Sequence, residues 1–171
     1  TDGGFMIQVL VADDHPIVRQ GLKQILTETG DISVIGEFET GHDVLAAVRK
    51  KSFDAIVLDL SMPGGGLDLV KTIREEKPNL PILVLSVHPE EHYAVRALKA
   101  GASGYLTKAS APDQLVSALR KLAAGGRYIT PSLGEKLAQD LQSPAAGKTA
   151  HDALSDREYQ ILRLMGQGKT L

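Results

Sequence analysis

The sequence predicts a doubly wound α/β domain over about residues 6–126. Three observations predict it. Short apolar runs rich in β-branched residues alternate five times with amphipathic helical patterns. The connections have the length of right-handed crossovers between parallel strands. The central run, Ala55-Ile-Val-Leu-Asp59, is apolar without alternation, as a strand covered on both faces should be, and it ends in an acid shortly before Pro63.

Met6 to Ala12, apolar apart from Gln8, reads as the first strand and runs into Asp13-Asp14-His15-Pro16. Pro16 suits the first turn of a helix, with Asp14 or His15 just before it. Val18, Leu22, Ile25 and Leu26 follow at helical spacing, and Gly30 fits a stop. Ile32 to Phe38 is the second strand. Thr40-Gly41 opens a helix through Val44, Leu45 and Val48 that ends in the basic run Arg49-Lys50-Lys51. After the central strand, Leu67, Val70 and Ile73 mark a helix stopped by Pro78. Pro81 to Val87 is the fourth strand, interrupted by one hydroxyl, Ser86. Glu90 to Ala100 is a helix with Val95 and Leu98 as its clearest apolar positions. Gly101 and Gly104 bracket a turn into the short strand Gly104–Thr107, which meets Lys108. Ala111-Pro112-Asp113 begins the last helix, which carries Leu115, Val116, Leu119 and Leu122 and ends at Gly125-Gly126.

The tail differs. Residues 131–141 read as a short helix, and Ser143-Pro-Ala-Ala-Gly-Lys-Thr149 has the composition of a linker. Ser155, followed three residues later by Glu158, is a capping box that starts a new helix. One helix cannot build a core, so the chain either enters a second domain there or docks that helix on the first.

Bulk properties exclude several classes. A net charge of −2 over 171 residues leaves no electrostatic footprint of a nucleic-acid binder. There is no cysteine, so disulfides are excluded. No apolar stretch approaches the roughly 20 residues that span a bilayer, and no signal peptide is visible, so the default expectation is a soluble cytoplasmic protein. Thr1 to Phe5 precede Met6 and read as a remnant outside the natural start.

Parallel strands share one carboxyl edge, where open α/β sheets bind ligands. That edge collects Asp13 and Asp14 from strand one, Asp59 from strand three, Ser86 from strand four and Lys108 from strand five. Three carboxylates together repel, by about 4 kcal/mol per pair at roughly 4 Å and an effective dielectric near 20. Either one keeps its proton or a cation sits among them. An oxygen-only cluster suits a hard ion such as Mg²⁺. Lys108 and Ser86 add donors for a phosphoryl group, and Asp59 is the candidate nucleophile. Taken singly, an Asp-Asp pair is usually a turn, a lysine after a strand is usually solvated, and a tyrosine such as Tyr105 is usually packing. All of them at strand ends in one α/β order point to phosphoryl chemistry.

The pattern Val11-Ala-Asp-Asp14, Leu58-Asp59-Leu-Ser-Met-Pro63, Leu85-Ser86 and Tyr105-Leu-Thr-Lys108 resembles a response-regulator receiver domain, with a flavodoxin-like five-stranded parallel sheet, over residues 6–126. Ala12-Asp-Asp-His-Pro16 and Ala100-Gly-Ala-Ser-Gly-Tyr-Leu-Thr-Lys108 resemble its NarL/FixJ subfamily. Residues 154–168 resemble the first helix of that subfamily's LuxR-type helix-turn-helix domain, leaving 127–153 as a helical and flexible linker. The resemblance implies that Asp59 is the phosphoacceptor. Asp14 would be a direct Mg²⁺ ligand, Asp13 would act largely through water, and Ser61 would offer its backbone carbonyl. Lys108 would bind phosphate, Ser86 would be the conformational hydroxyl and Tyr105 the aromatic switch. The implied partners are a sensor histidine kinase, a second copy of the chain on activation, and promoter DNA for the full-length protein. Because 154–171 stop before the scaffold and recognition helices, this stretch of chain is expected not to bind DNA specifically.

One departure stands out: Pro63-Gly-Gly-Gly-Leu67 is a residue shorter than the family's usual loop, and three glycines make it flexible and costly to order. Weaker signals are His88 and His92, an i, i+4 pair without a third ligand; His88, two residues past Ser86, is a candidate modulator of phosphate lifetime. Two other functions compete. A stand-alone receiver would need nothing after Gly126. A Mg²⁺-dependent aspartate-nucleophile phosphohydrolase would want a second acid two residues after Asp59, where Ser61 stands.

Overall fold

The structure, a computed structural model, describes residues 6–87, 91–129, 134, 135, 138 and 139. The chain divides into two compact units, Thr1–Ile129 and Thr130–Leu171. In the second, Gly134, Glu135, Ala138 and Gln139 are helical, inside the stretch expected to form a short helix. The capping box at Ser155 and the helix after it lie outside the described residues.

The first unit runs β1 (Ile7–Ala12), α1 (Pro16–Thr27), β2 (Ile32–Phe38), α2 (Gly41–Lys50), β3 (Ala55–Asp59), α3 (Leu67–Glu76), β4 (Ile82–Ser86), α4 (Glu91–Ala100), β5 (Gly104–Thr107) and α5 (Ala111–Ala123). The five strands form one parallel sheet in the order β2-β1-β3-β4-β5. The order reverses at β1, so the crevice between the carboxyl ends of β1 and β3 is the topological switch point. The expected elements all form, with ends moved by a residue or two. β4 is shorter than the expected 81–87 because Pro81 has no N–H for the ladder and Val87 bends out, 59% exposed.

β3 and β4 are buried along their whole length. Alternation splits their side chains. Val9, Val11, Val57, Leu83 and Leu85 join Leu22 and Leu26 of α1 and Leu115, Leu119 and Leu122 of α5 in one core. Leu10, Ala12, Ile56, Leu58, Ile82 and Val84 alternate with them and are equally buried, on the side where α2, α3 and α4 neighbour one another. Covering both faces leaves only strand ends open to solvent, and that places polar strand-end residues at the rim.

Caps follow the sequence at α2, where the Thr40 side chain accepts from the Asp43 N–H at 3.1 Å. After α5 the chain returns to the sheet. Tyr128 forms a parallel bridge with Gly104, its N–H donates to the Ser103 carbonyl at 3.0 Å, and its hydroxyl lies 3.0 Å from Gln114 Oε1. Residues 127–129, read from sequence as the start of the linker, thus belong to the first unit.

Candidate functional site: carboxylates held around a lysine

The pocket is built by the same device on two strands. Where β1 ends, Asp13 turns the chain with its own carboxylate: the His15 N–H donates to Asp13 Oδ1 at 2.8 Å. Where β3 ends, the Ser61 N–H donates to Asp59 Oδ1 at 3.0 Å. Both are Asp side chains bonded to backbone two residues on, which stops a strand and fixes the carboxylate's direction. The Ser61 hydroxyl adds a bond to the same Asp59 oxygen at 2.8 Å. An Arg19 Nη1–H from α1 donates to the Asp13 carbonyl and ties the β1–α1 loop to its helix.

Asp13 and Asp59 are both 0% exposed. Between them lies Lys108, whose ammonium is 2.9 Å from Asp13 Oδ2 and 3.2 Å from Asp59 Oδ2. Its backbone N–H donates to the Ser86 carbonyl at 2.8 Å, so the β4–β5 ladder sets its base and the side chain reaches over β4. Burial pulls the Lys108 pKa down, but the Asp13 and Asp59 carboxylates outweigh it and leave it raised. The cation expected among the carboxylates is therefore supplied in part by the chain itself.

Lys108 does not satisfy the pocket. Asp13 Oδ2 and Asp59 Oδ2 share that one ammonium, and the buried Asp14 Oδ1 faces His15 Nδ1 at 3.1 Å. One ligand atom from each of Asp13, Asp14, His15 and Asp59 lies within 4.8 Å of the others. Three carboxylates in one pocket against a single ammonium leave negative charge in excess, and their oxygens form a donor set that fits a divalent cation. Ser86 (3% exposed) ends β4, while Tyr105 (7% exposed) is buried within β5, paired with Val84 two residues back from that edge. His88 lies outside the described residues. A cleft of about 470 Å³, lined by Val48, Phe53, Pro78, Leu80 and Leu122 among others, sits at the opposite, amino-terminal edge of the strands and is unconnected with this chemistry.

The Gly64–Gly66 loop, expected to be flexible and costly to order, forms a turn in which its glycines have positional reasons. Gly64 and Gly66 have φ of 74° and 93°, and a Cβ on Gly65 would press to 3.0 Å from the Met62 carbonyl. The Gly65 N–H closes the turn on that carbonyl at 2.9 Å, and the Gly41 N–H at the start of α2 donates to the Pro63 carbonyl at 2.8 Å. The shortened loop is a specific turn docked on α2. Sequence reading also missed His15 as a member of the pocket, since it was weighed only as a helix-capping position. The signal was there in Asp-Asp-His, three polar groups before a proline that stops the chain from turning away.

A doubly wound sheet with aspartates at the ends of β1 and β3, bridged by a lysine from the end of β5, defines the receiver-domain class. A family model for the response regulator receiver domain matches residues 9–120. The chain is 36% identical over 165 residues to the response regulator UvrY of Escherichia coli K12, covering 96% of this chain and 76% of that protein. Among solved structures it resembles a LuxR-family two-component response regulator from Aurantimonas (TM-score 0.72, 32% identity, 81% of this chain and 99% of that one). It also resembles the Salmonella typhimurium response regulator RcsB, studied for its conformational changes in DNA interaction (TM-score 0.70, 29% identity, 96% and 79%). The chain belongs to the response regulator family, in its NarL/FixJ subfamily, and is a two-component response regulator concerned with transcription. No helix among the described residues is long and apolar enough to cross a membrane.

Proposed function

We propose that Asp59 accepts a phosphoryl group from a sensor histidine kinase and that the modified pocket switches the receiver. The observation that carries this is the pair of fully buried carboxylates, Asp13 and Asp59, whose Oδ2 atoms share the single Lys108 ammonium at 2.9 and 3.2 Å. Two buried acids against one ammonium leave a net negative charge, which a purely structural pair would avoid.

In the step, an Asp59 oxygen attacks the phosphorus of a phosphohistidine. The O–P bond forms as the N–P bond breaks, and the imidazole leaves with the electron pair and takes up a proton. Asp14, Asp59 and the Ser61 backbone carbonyl would hold a magnesium ion, with Asp13 acting largely through water, and the ion would supply charge neutralisation at the phosphoryl oxygens. Lys108 is poised to trade its Asp59 contact for a phosphoryl oxygen. The Ser61 N–H and hydroxyl hold the carboxylate at a fixed angle, which is positioning rather than bond chemistry. The Ser86 hydroxyl would then turn to the new dianion, and Tyr105, buried in β5, would repack into the space released. The receiver is thus a signalling element, with self-catalysed transfer and hydrolysis at Asp59 only. Residues 154–171 would open a helix-turn-helix domain, so dimerisation and promoter binding would be the output of the longer protein, in the cytoplasm.

The test is intact mass after incubation with acetyl phosphate, with and without Mg²⁺, beside Asp59→Asn. One phosphoryl adduct that requires both Mg²⁺ and Asp59 supports the reading. No adduct, where a control receiver labels, rejects it.

A further inference from the structure

The edge of the sheet opposite Asp59 gathers cations without acids. A second hollow there, of about 430 Å³, shares the Pro78–Pro81 wall with the cleft beside it. Its size lies within the range of small-molecule sites, roughly 300–1,000 Å³. Its lining holds Arg74, Lys99 and Arg127 and no acidic residue, in a chain whose net charge is −2. The acids of the adjoining cleft are already engaged. Glu76 pairs with Arg49 at 2.6 Å, and Asp54 accepts the Gln8 N–H at 2.7 Å.

Backbone contacts hold two guanidiniums together at this hollow. Arg74 spends all five of its N–H groups on neutral acceptors, four times on backbone carbonyls and once on Ser103 Oγ. Its charge is left for something else to balance. The Tyr128 N–H, bonded to the Ser103 carbonyl at 3.0 Å, pins Arg127 beside that group. Burial first, and then the Arg127 charge, lower the Arg74 pKa, so the two cations feel one another. Arg127 is exposed, and its side chain makes no hydrogen bond or ion pair among the described residues. Ser103 Oγ accepts from the Ile82 N–H at 3.1 Å and from Arg74 at 3.4 Å, while its own O–H has no acceptor among the described residues. A solvated arginine is ordinary. One fixed beside a half-buried guanidinium and an unspent hydroxyl is a donor set for an anion.

We propose that this hollow binds a small organic phosphate, a phosphate monoester held by the Arg127 fork and the Ser103 hydroxyl, with its carbon body on Pro78, Leu80 and Pro81. A planar guanidinium matches two phosphoryl oxygens at once. A dianion balances Arg74 and Arg127 together, where a carboxylate would balance one. The apolar wall gives such a ligand an advantage over inorganic phosphate. The site uses no residue of the aspartate pocket and stands whether or not Asp59 is phosphorylated.

The experiment titrates the full chain with adenosine monophosphate, inorganic phosphate and adenosine, followed by ¹H–¹⁵N NMR and calorimetry. Divalent ions are left out so that the aspartate pocket draws no phosphate. Arg127→Gln is run beside the wild type and Lys50→Gln, which removes an exposed cation of α2 outside the hollow. The expected result is a shift of the Ser103 amide and the Arg127 Nε–H on adding the monophosphate. Affinity should fall by about tenfold or more in Arg127→Gln, as charge-assisted hydrogen bonds are lost, and hold in Lys50→Gln. Adenosine should not bind, and inorganic phosphate should bind less tightly than the monophosphate. Without ligand, Arg127→Gln should unfold at the wild-type temperature or above it, since a like charge is gone. No shift in the wild type, equal binding by Arg127→Gln, or equal losses in both variants overturns the site. Adenosine binding as well as the monophosphate overturns the phosphate contact, and inorganic phosphate binding as tightly overturns the apolar one. An Arg127→Gln protein that unfolds below the wild type makes Arg127 structural and overturns the site as well.

Discussion

Gly41 and Gly64 meet backbone to backbone: a Cβ on Gly41 would overlap the Gly64 carbonyl oxygen, and the Gly41 N–H is bonded to Pro63 next door. The first turn of α2 thereby braces the loop that leaves Asp59. Gly41→Ala should cost about 1–3 kcal/mol, the usual range for overpacking, and should slow acetyl-phosphate labelling because the loop must shift. Gly21 is the contrast. It lies inside α1 with nothing within 4 Å of an added Cβ, so Gly21→Ala should stabilise by roughly 0.5–1 kcal/mol. Urea unfolding of both variants checks the pair; a neutral Gly41→Ala would mean that the brace carries no load.

The pocket holds three carboxylates and one ammonium, so it is over-charged before any ion binds. Asp14, whose side chain is 30% exposed and whose Oδ1 faces His15 Nδ1 rather than Lys108, has the least to lose by neutralisation. Without divalent ions, Asp14→Asn should raise stability by roughly 1 kcal/mol, a fraction of the 4 kcal/mol of a close pair because solvent screens it. With Mg²⁺ at about a hundred times its dissociation constant, the wild type should gain about 2.7 kcal/mol and overtake the variant. Thermal or urea unfolding with and without Mg²⁺ reads this crossing. A variant less stable than wild type in the absence of ions would show that repulsion does not govern the pocket.

Much of this was legible from sequence because each element is specified locally. β3 announces itself through Ala55-Ile-Val-Leu, and its end through Asp59 and Pro63. Once strands are parallel, geometry alone brings Asp13, Asp59, Ser86 and Lys108 to one edge. What escaped depends on contacts between distant segments. Lys108 as the partner of both Asp13 and Asp59 depends on the strand order, which places β5 two strands from β3. The fit of Gly64 on Gly41 joins two loops, and neither local pattern contains the other. Ile35 is the extra residue of β2 where Val9 pairs Val34 but Leu10 pairs Gly36, and alternation cannot reveal such a slip. Tyr128 reads as linker until β5 is known to need an edge neighbour.

Lys108 gives the molecule a pH dependence of fixed sign. Its folded pKa is raised above that of the unfolded chain, because two carboxylates outweigh burial. A group whose proton is held more tightly in the folded state stabilises fully below its unfolded pKa, and that contribution is lost as pH rises through the folded one. The stability difference between wild type and Lys108→Met should therefore be constant from neutral pH to the ordinary lysine range and shrink above it. At neutral pH, removing the ammonium should cost about 3 kcal/mol or more, since buried carboxylates lose their partner. Urea midpoints of both proteins across that range decide it. A difference that grows with alkalinity would contradict the ion-pair geometry.

Arg74 is the other cation whose surroundings make a definite demand. From the last turn of α3 its guanidinium gives five hydrogen bonds: to the Gly101 carbonyl from Nε (3.0 Å) and Nη2 (2.8 Å), to the Lys77 (3.1 Å) and Pro78 (2.8 Å) carbonyls from Nη1, and to Ser103 Oγ from Nη2 (3.4 Å). These stitch the end of α3 to the turn between α4 and β5, which carries Tyr105 and Lys108 toward the pocket. Burial and then the nearby Arg127 lower its pKa, but arginine starts so high that it stays charged at neutral pH. Arg74→Ala should cost about 3 kcal/mol, chiefly through carbonyls left without donors. Arg74→Lys keeps the charge but cannot reproduce a planar fork, so it should recover less than half of that loss. Full rescue by lysine would mean that charge alone matters there, and that the five-bond geometry is incidental to holding β5 in place.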